Sequence, residues 1–258
     1  MKTIQLSSNN KRILLFSDIH QEIRKARYIL EKEDHDEIVN LGDNFDSFEY
    51  DSVKDIENTC QFLKDNVFKP NYHSLFGNHD LHYFYPSQYT ICSGYEPWKL
   101  KAVNQWLGSL KSDIIAQHQW FIWVDDYLCT HAGLHPNHIN PMIKLTKESL
   151  THWLIEQGSF ASASLDRDDS HWLYRAGEAR GGNQNLGGIT WLDADVEAEM
   201  IIDLKQIFGH TPHPTVLPHV EDGCMNVNDW INIDIDCHLN QYLIIQNGRV
   251  EIKNYNNL

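Results

Sequence analysis

Five short apolar runs in this chain each break off into metal-binding side chains, where ordinary turn residues would be expected. Run 12–16 (RILLF) leads to Asp18-Ile19-His20, run 38–41 to Gly42-Asp43-Asn44-Phe45-Asp46, and run 72–76 to Gly77-Asn78-His79-Asp80. Further on, run 127–130 meets His131-Ala132-Gly133, and run 206–208 meets Gly209-His210-Thr211. In extended backbone, residues i and i+2 point the same way, so Asp18 and His20 can offer a carboxylate oxygen and an imidazole nitrogen to one ion. Glycine before the second and third bursts lets the chain turn sharply off its strand. Taken singly, a burst of this kind is more often a helix cap, a polar turn or a satisfied histidine than a metal site. Five of them at successive strand ends form a pattern that chance does not supply, and they read as one metal site.

The segments between the bursts supply the architecture. Short buried runs alternate with helical patterns in the first third, the mark of βαβ units around a largely parallel sheet. A helix is predicted over 20–33, with Ile23, Ala26 and Leu30 on one face. A second is predicted over 53–67, where Val53, Ile56, Cys60, Leu63 and Val67 recur at spacings of three and four before Pro70. Runs 120–124 and 127–130 flank Asp125-Asp126 as a hairpin. A helix is expected over 144–157, a flexible connection over the small and polar residues 158–170, and strands over 206–208, 230–235, 242–246 and 250–252, the last two joined at Asn247-Gly248. Residues 81–112, rich in Tyr and Trp, read as a helical insertion within a single unit spanning 1–258. Its aromatics Tyr83, Phe84, Tyr85, Tyr89, Tyr95 and Trp98 either stack on a substrate ring or fill a core.

Charge narrows the partners. With 36 acidic and 21 basic side chains the formal charge is −15, and such a surface repels polyphosphate backbones except where bound cations reverse the local field. A nucleic acid polymer is therefore not expected. The five cysteines, Cys60, Cys92, Cys129, Cys224 and Cys237, are odd in number and form no C-x-x-C pair. That argues against a disulfide framework or a cysteine zinc site and suits a reducing cytoplasm. No apolar signal segment or stretch of about 18 apolar residues occurs, so no membrane association is expected.

The ordered set D-x-H, G-D-x-x-D, G-N-H-D, H-A-G and G-H-T resembles the calcineurin-like metallophosphoesterases, most closely their serine/threonine-phosphatase-type branch. That branch includes bacterial and phage phosphatases and symmetrical diadenosine tetraphosphatases. The likeness runs from Asp18 to about Cys237, and 232–237 (NIDIDC) resembles the strand that follows the last metal histidine. The resemblance implies a four-layer αββα sandwich of two mixed sheets, α/β in class, with the metals at the strand ends. It implies two divalent ions, manganese foremost with Fe, Zn, Co or Ni also suited to such ligands. Asp18 and His20 would hold the first, Asp43 would bridge, and Asn78, His131 and His210 would complete the second, with Asn78 also near the phosphate. His79 would be the general acid, kept protonated by Asp46, in a hydrolysis whose nucleophile is a water activated by the ions. One such ion lowers the pKa of bound water from 15.7 to about 7, so no separate base is needed.

One departure from the branch concerns the phosphate clamp. The branch carries an arginine directly after the carboxylate matched by Asp46, whereas this chain has Ser47 and Phe48. Arginine's planar fork pairs with two phosphate oxygens and is hard to replace. Between His131 and His210, Arg175 and Arg180 are the candidate substitutes, the latter followed by glycines at 181, 182, 187 and 188 that suggest backbone held close to a ligand. Histidines 135, 138, 213, 219 and 238 read as outer partners of the site. The expected substrate is a phosphomonoester, on a phosphoprotein or small molecule. A nucleotide-directed hydrolase and a non-catalytic metal-binding scaffold are the two alternatives. A serine or cysteine hydrolase is not indicated, since no G-x-S-x-G elbow or cysteine-nucleophile signature occurs.

Overall fold

The computed structural model describes residues 4–47, 49, 51–197, 204–212, 232–234, 237 and 240–255. The strands are β1 (Gln5–Leu6), β2 (Arg12–Phe16), β3 (Glu37–Asn40), β4 (Tyr72–Leu75), β5 (His118–Gln119), β6 (Ile122–Val124), β7 (Tyr127–Cys129), β8 (Lys205–Phe208), β9 (Asn232–Asp234), β10 (Gln241–Gln246) and β11 (Arg249–Asn254). The α-helices are α1 (Ile23–Lys32), α2 (Val53–Asn66), α3 (Asn78–Phe84), α4 (Pro97–Leu107), α5 (Lys111–Gln117) and α6 (Lys147–Asp166). One sheet has the order β11-β10-β2-β3-β4-β5, the other β1-β6-β7-β8-β9.

Both sheets are mixed. Strands β2 to β5 run parallel, with β10 and β11 antiparallel at the edge. In the second sheet β7, β8 and β9 are parallel, and β6 pairs antiparallel with β7. The apolar runs are unbroken because both of their faces are buried. In β2, Ile13 and Leu15 turn inward to meet Val39, Leu75, Ile122, Cys129 and Ile207, residues drawn from both sheets. Leu14 and Phe16 turn the other way, onto Ile23, Ala26, Ile56 and Leu63 of α1 and α2. Each such side chain contributes about 1.5–3 kcal/mol of burial, so Leu15→Ala would cost about 2–5 kcal/mol. The result is two sheets packed face to face with helices outside them, the four-layer αββα arrangement expected from the resemblance.

Helix α2 begins where its chemistry directs: the Ser52 hydroxyl accepts from Asp55 N at 3.3 Å while the Asp55 carboxylate accepts from Ser52 N at 3.2 Å. Helix α1 starts three residues later than predicted, because His20 and Gln21 adopt left-handed backbone at φ 44° and 66°. The largest correction concerns 158–170. Instead of a flexible connection, α6 continues to Asp166. Thr151, Leu154, Gly158, Ala161 and Leu165 are buried at spacings of three and four, so the small residues are a tight packing face that composition had disguised as a loop. Of the 230–235 strand, the described part is Asn232–Asp234, which extends the second sheet beside β8. Cys224 and histidines 213, 219 and 238 lie outside the described residues. Among the described residues no helix is long and apolar enough to cross a membrane.

Candidate metal centre

Parallel strands point their C-terminal ends the same way. β2, β3 and β4 thus deliver the loops that carry Asp18, Asp43 and Asn78 to one edge, and neighbouring β7 and β8 deliver His131 and His210. The loops are then clasped by backbone: Asp18 N donates to Gly42 O, His20 N to Asp43 O and Gln21 N to Asn44 O, each at 3.0 Å. Gly42 and Gly77 allow the second and third loops to cross. Gly42 sits at φ +108°, and a Cβ on Gly77 would lie 2.2 Å from Asp43 N. Asp18, His20, Asp43, Asp46 and His210 all take positive φ, between 44° and 75°. Non-glycine residues pay about 1–2 kcal/mol each for that backbone, and such strain gathers where side chains must be aimed.

The side chains meet in two triads. The ligand atoms of Asp18, His20 and Asp43 lie within 4.8 Å of one another, as do those of Asp43, His131 and His210. Asp43 belongs to both, its Oδ2 standing 3.9 Å from His20 Nε2 and 3.3 Å from His131 Nε2. All five are buried, with Asp43 only 1% exposed.

Hydrogen bonds behind the rings fix which nitrogen faces inward. His20 Nδ1–H donates to the carbonyls of Phe45 (3.0 Å) and Asp46 (2.9 Å), and His131 Nδ1–H to that of Leu41 (2.9 Å). Both Nε2 lone pairs are left aimed at carboxylates, as in a ligated histidine. The Asn78 carboxamide turns one end into the set, 3.0 Å from His131 Nε2, 3.0 Å from His210 Nδ1 and 3.3 Å from Asp43 Oδ2. Its oxygen there faces only acceptors, an arrangement that a cation among them would satisfy. His210 Nε2 is buried with no protein partner. Mixed carboxylate, imidazole and amide donors with lone pairs converging on one space suit divalent ions, so the residues fit the group that the sequence implied. In the protein alone the electrostatics show the same crowding. Burial opposes charge on His131, but Asp43, Asp18 and Asp80 push it up to about 9, while burial, His131 and Arg180 hold His210 well below the ordinary histidine range.

Beside the triads, His79 and Asp46 form a dyad, with Nδ1 and Oδ2 2.9 Å apart. Asp46 is far more heavily engaged than the sequence suggested. His82 Nε2 stands 2.6 Å from its Oδ2, while Tyr83 OH donates to Oδ1 at 2.5 Å and Lys99 Nζ at 3.3 Å. Burial opposes the carboxylate charge, yet His79 and His82 hold Asp46 far below the usual carboxylate range. Asp80, noted in the sequence but given no task, pins the second loop to the third by accepting from Asp43 N and Asn44 N at 2.9 Å each. His82 was within reach of sequence reasoning, since H-x-x-H on one helix shares a face. Cys92 and Lys99 had no local signal.

A cavity of about 650 Å³ opens over Asp18, His20, Asp43, Asn78, His79 and His210, and Arg175 and Arg180 stand on its wall. Arg180 Nε pairs with Asp193 Oδ2 at 2.6 Å, and Nη2 donates to Thr211 Oγ1 at 3.3 Å. Arg175 lies 5.1 Å over the Tyr89 ring and donates to Asn183 Oδ1 at 2.7 Å. Of the six aromatics in the segment after the third burst, Tyr89 lines the cavity; Tyr83 and Phe84 are core, and Trp98 is exposed. Of the later glycines, Gly181 and Gly182 line the cavity, whereas Gly188 has another reason to be small. A Cβ on Gly188 would lie 1.9 Å from Trp172 O, so there the chain's own backbone requires the small residue. His138 donates to Gly187 O at 2.8 Å, and the His135 ring accepts from Asn137 N at 3.1 Å, so neither joins the triads.

A family profile described as calcineurin-like phosphoesterase matches residues 11–214. Among solved structures, a cold-active protein-tyrosine phosphatase from a psychrophilic Shewanella species superposes with TM-score 0.60 at 14% identity, over 100% of this chain and 82% of that one. A proposed diadenosine tetraphosphatase superposes with TM-score 0.51 at 14% identity, over 98% of each chain. At such identities the likeness is one of fold. No curated protein matches the chain.

Proposed function

The chain belongs to the calcineurin-like phosphoesterase family of metal-dependent phosphoester hydrolases, and on that premise we propose that it is a binuclear phosphomonoesterase acting on a small or locally presented phosphate. The observation that carries this reading is a single carboxylate, Asp43, common to two buried ligand triads, with His79, held by Asp46, lining the same cavity. Asp18, His20 and Asp43 would hold one divalent ion, and Asp43, Asn78, His131 and His210 the other, manganese being the first choice. When bound, such ions supply Lewis acidity, which polarises phosphoryl oxygen and acidifies water.

The chain's own residues do the rest. Arg180, oriented by Asp193 and Thr211, binds phosphate oxygens and takes the place of the arginine absent after Asp46, with Arg175, which also lines the cavity, as a second anchor. Asp46 fixes His79 through Nδ1, which leaves Nε2 to give a proton to the departing oxygen. We read 1–258 as one unit, with 81–112 as a helical insertion that supplies His82, Tyr83 and Lys99 to Asp46. Among the described residues, the free thiols of Cys60, Cys92 and Cys129 favour the cytoplasm as its compartment.

A nucleotide-directed hydrolysis is the second reading. Tyr89 and Trp191 line a cavity larger than one phosphate requires, and either ring offers a base a stacking face. Stripping the protein of metal, restoring manganese and comparing an aryl phosphomonoester, an aryl phosphodiester and a dinucleoside tetraphosphate separates the two. Preference for the monoester supports the first reading, and preference for the tetraphosphate replaces it with the second. Asp43→Asn should lose both metal content and at least 100-fold in kcat/KM; full activity in that variant would remove the shared ligand. His79→Gln should lower kcat by about 10²–10⁴ for poor leaving groups and less for good ones, and equal losses would remove its acid role.

A further inference from the structure

We infer that His79, His82 and Cys92 form a third cation site, built for a thiophilic ion such as zinc, and that filling it detaches His79 from Asp46. It lies outside the two triads already described and shares no residue with them. The ligand atoms of the three residues lie within 4.8 Å of one another. Cys92 Sγ is 3.2 Å from His82 Nδ1 and 4.0 Å from His79 Nδ1. Around a tetrahedral zinc with Zn–S near 2.3 Å and Zn–N near 2.0 Å, sulfur and nitrogen donors stand about 3.5 Å apart. The two distances bracket that value, so small rotations of the rings complete the geometry.

The surroundings favour an ion. His82 is fully buried, and its Nε2 stands 2.6 Å from Asp46 Oδ2, which draws the ring proton to that side and leaves the Nδ1 lone pair facing the thiol. A carboxylate behind a histidine is the usual support for a metal-bound ring. His79 and Cys92 both line the cavity, which gives an ion its path of entry and leaves a fourth position open. The donor set is two imidazoles and a thiol, whereas the two triads offer carboxylate and imidazole. Sulfur selects zinc over magnesium or manganese, so the third site and the central pair choose different ions.

Occupancy has a cost for the reaction. The His79 Nδ1 that would bind the ion is the atom that bonds Asp46 at 2.9 Å, and it cannot do both. An ion there takes His79 out of its alignment, so zinc becomes an inhibitor distinct from the ions that support turnover. This last point rests on the reading of His79 as the general acid; the site itself does not.

The test is a titration of the manganese-loaded protein with cobalt(II) and, separately, with zinc(II). Cobalt is expected to give a thiolate-to-cobalt charge-transfer band in the near ultraviolet, absent in Cys92→Ser and weakened in His82→Gln. Zinc is expected to inhibit hydrolysis of a poor-leaving-group phosphomonoester, with the half-inhibiting concentration raised at least tenfold in Cys92→Ser relative to that variant's own zinc-free rate. Thermal unfolding of each variant establishes that it is folded, and Cys92→Ala serves if the serine variant is not. A band that never forms, or that survives in both Cys92 variants, overturns the site. A band that behaves as expected while zinc leaves turnover unchanged overturns the coupling and places the fault in the role given to His79.

Discussion

Asp46 illustrates how much one buried carboxylate can carry. It receives His79, His82, Tyr83 and Lys99, and its own backbone N–H is held by Gln21 Oε1 at 2.9 Å. Removing its charge leaves two buried histidines without their counter-ion and Lys99 with Asp51 alone, whose Oδ1 lies 2.8 Å from Nζ. Breaking such an arrangement costs about 3–5 kcal/mol. Asp46→Asn should therefore lower stability by an amount in that range, read by urea unfolding, and should also slow turnover of poor leaving groups more than good ones. A variant as stable as the parent would mean that Asp51, rather than Asp46, balances Lys99. Gly77 makes the complementary point about space, since any side chain there displaces Asp43. Gly77→Ala should reduce bound metal, measured by elemental analysis of the purified protein, even where the fold survives.

Individual elements are joined by polar locks as well as by the core. Glu33, at the C-terminal cap of α1, accepts from Arg12 of β2 at 2.9 Å, from Tyr242 of β10 at 2.7 Å and from Lys253 of β11 at 2.9 Å. It ties one helix to three strands of the first sheet. Burial alone would raise its pKa, but the bonds from Lys253, Tyr242 and Arg12 prevail and hold it below the ordinary value. A lowered folded-state pKa means stability that is present above the unfolded value, about 4.3, and is lost as pH falls through the folded one. Glu33→Gln should cost about 1–3 kcal/mol at pH 7. The gap between parent and variant should stay constant down to about pH 5 and narrow below about 4.3. A gap that widened on acidification would contradict the assignment. The continuation of α6 through Ser164 shows why composition misleads at this scale: small residues signal a loop when read as a list and a packing face when read with a period of 3.6.

At the scale of the whole molecule the formal charge of −15 surrounds a cavity whose walls carry Arg175 and Arg180 and whose floor is suited to cations. A substrate anion meets repulsion at long range and attraction only close to the site. For a small phosphomonoester, kcat/KM should change little between low and moderate salt, whereas a more highly charged tetraphosphate should gain as salt screens the repulsion. A steep fall with added salt for either would show a basic approach that this charge distribution does not contain.

Side-chain periodicity and strand-end chemistry were enough to read the βαβ start, the helix at 53–67 and the candidate residues Asp18, His20, Asp43, Asn78, His131 and His210, which the structure brings together. Those features depend on neighbours in the chain and on coordination preferences that hold in any fold. Tertiary structure decided the rest. The orientation of His20 and His131 comes from carbonyls far away in sequence, and Cys92 and Lys99 reach the site through loops and helices whose packing no local pattern encodes. Hydrogen bonds and ligand sets form between atoms a few ångströms apart, and only the folded chain specifies which distant residues come that close.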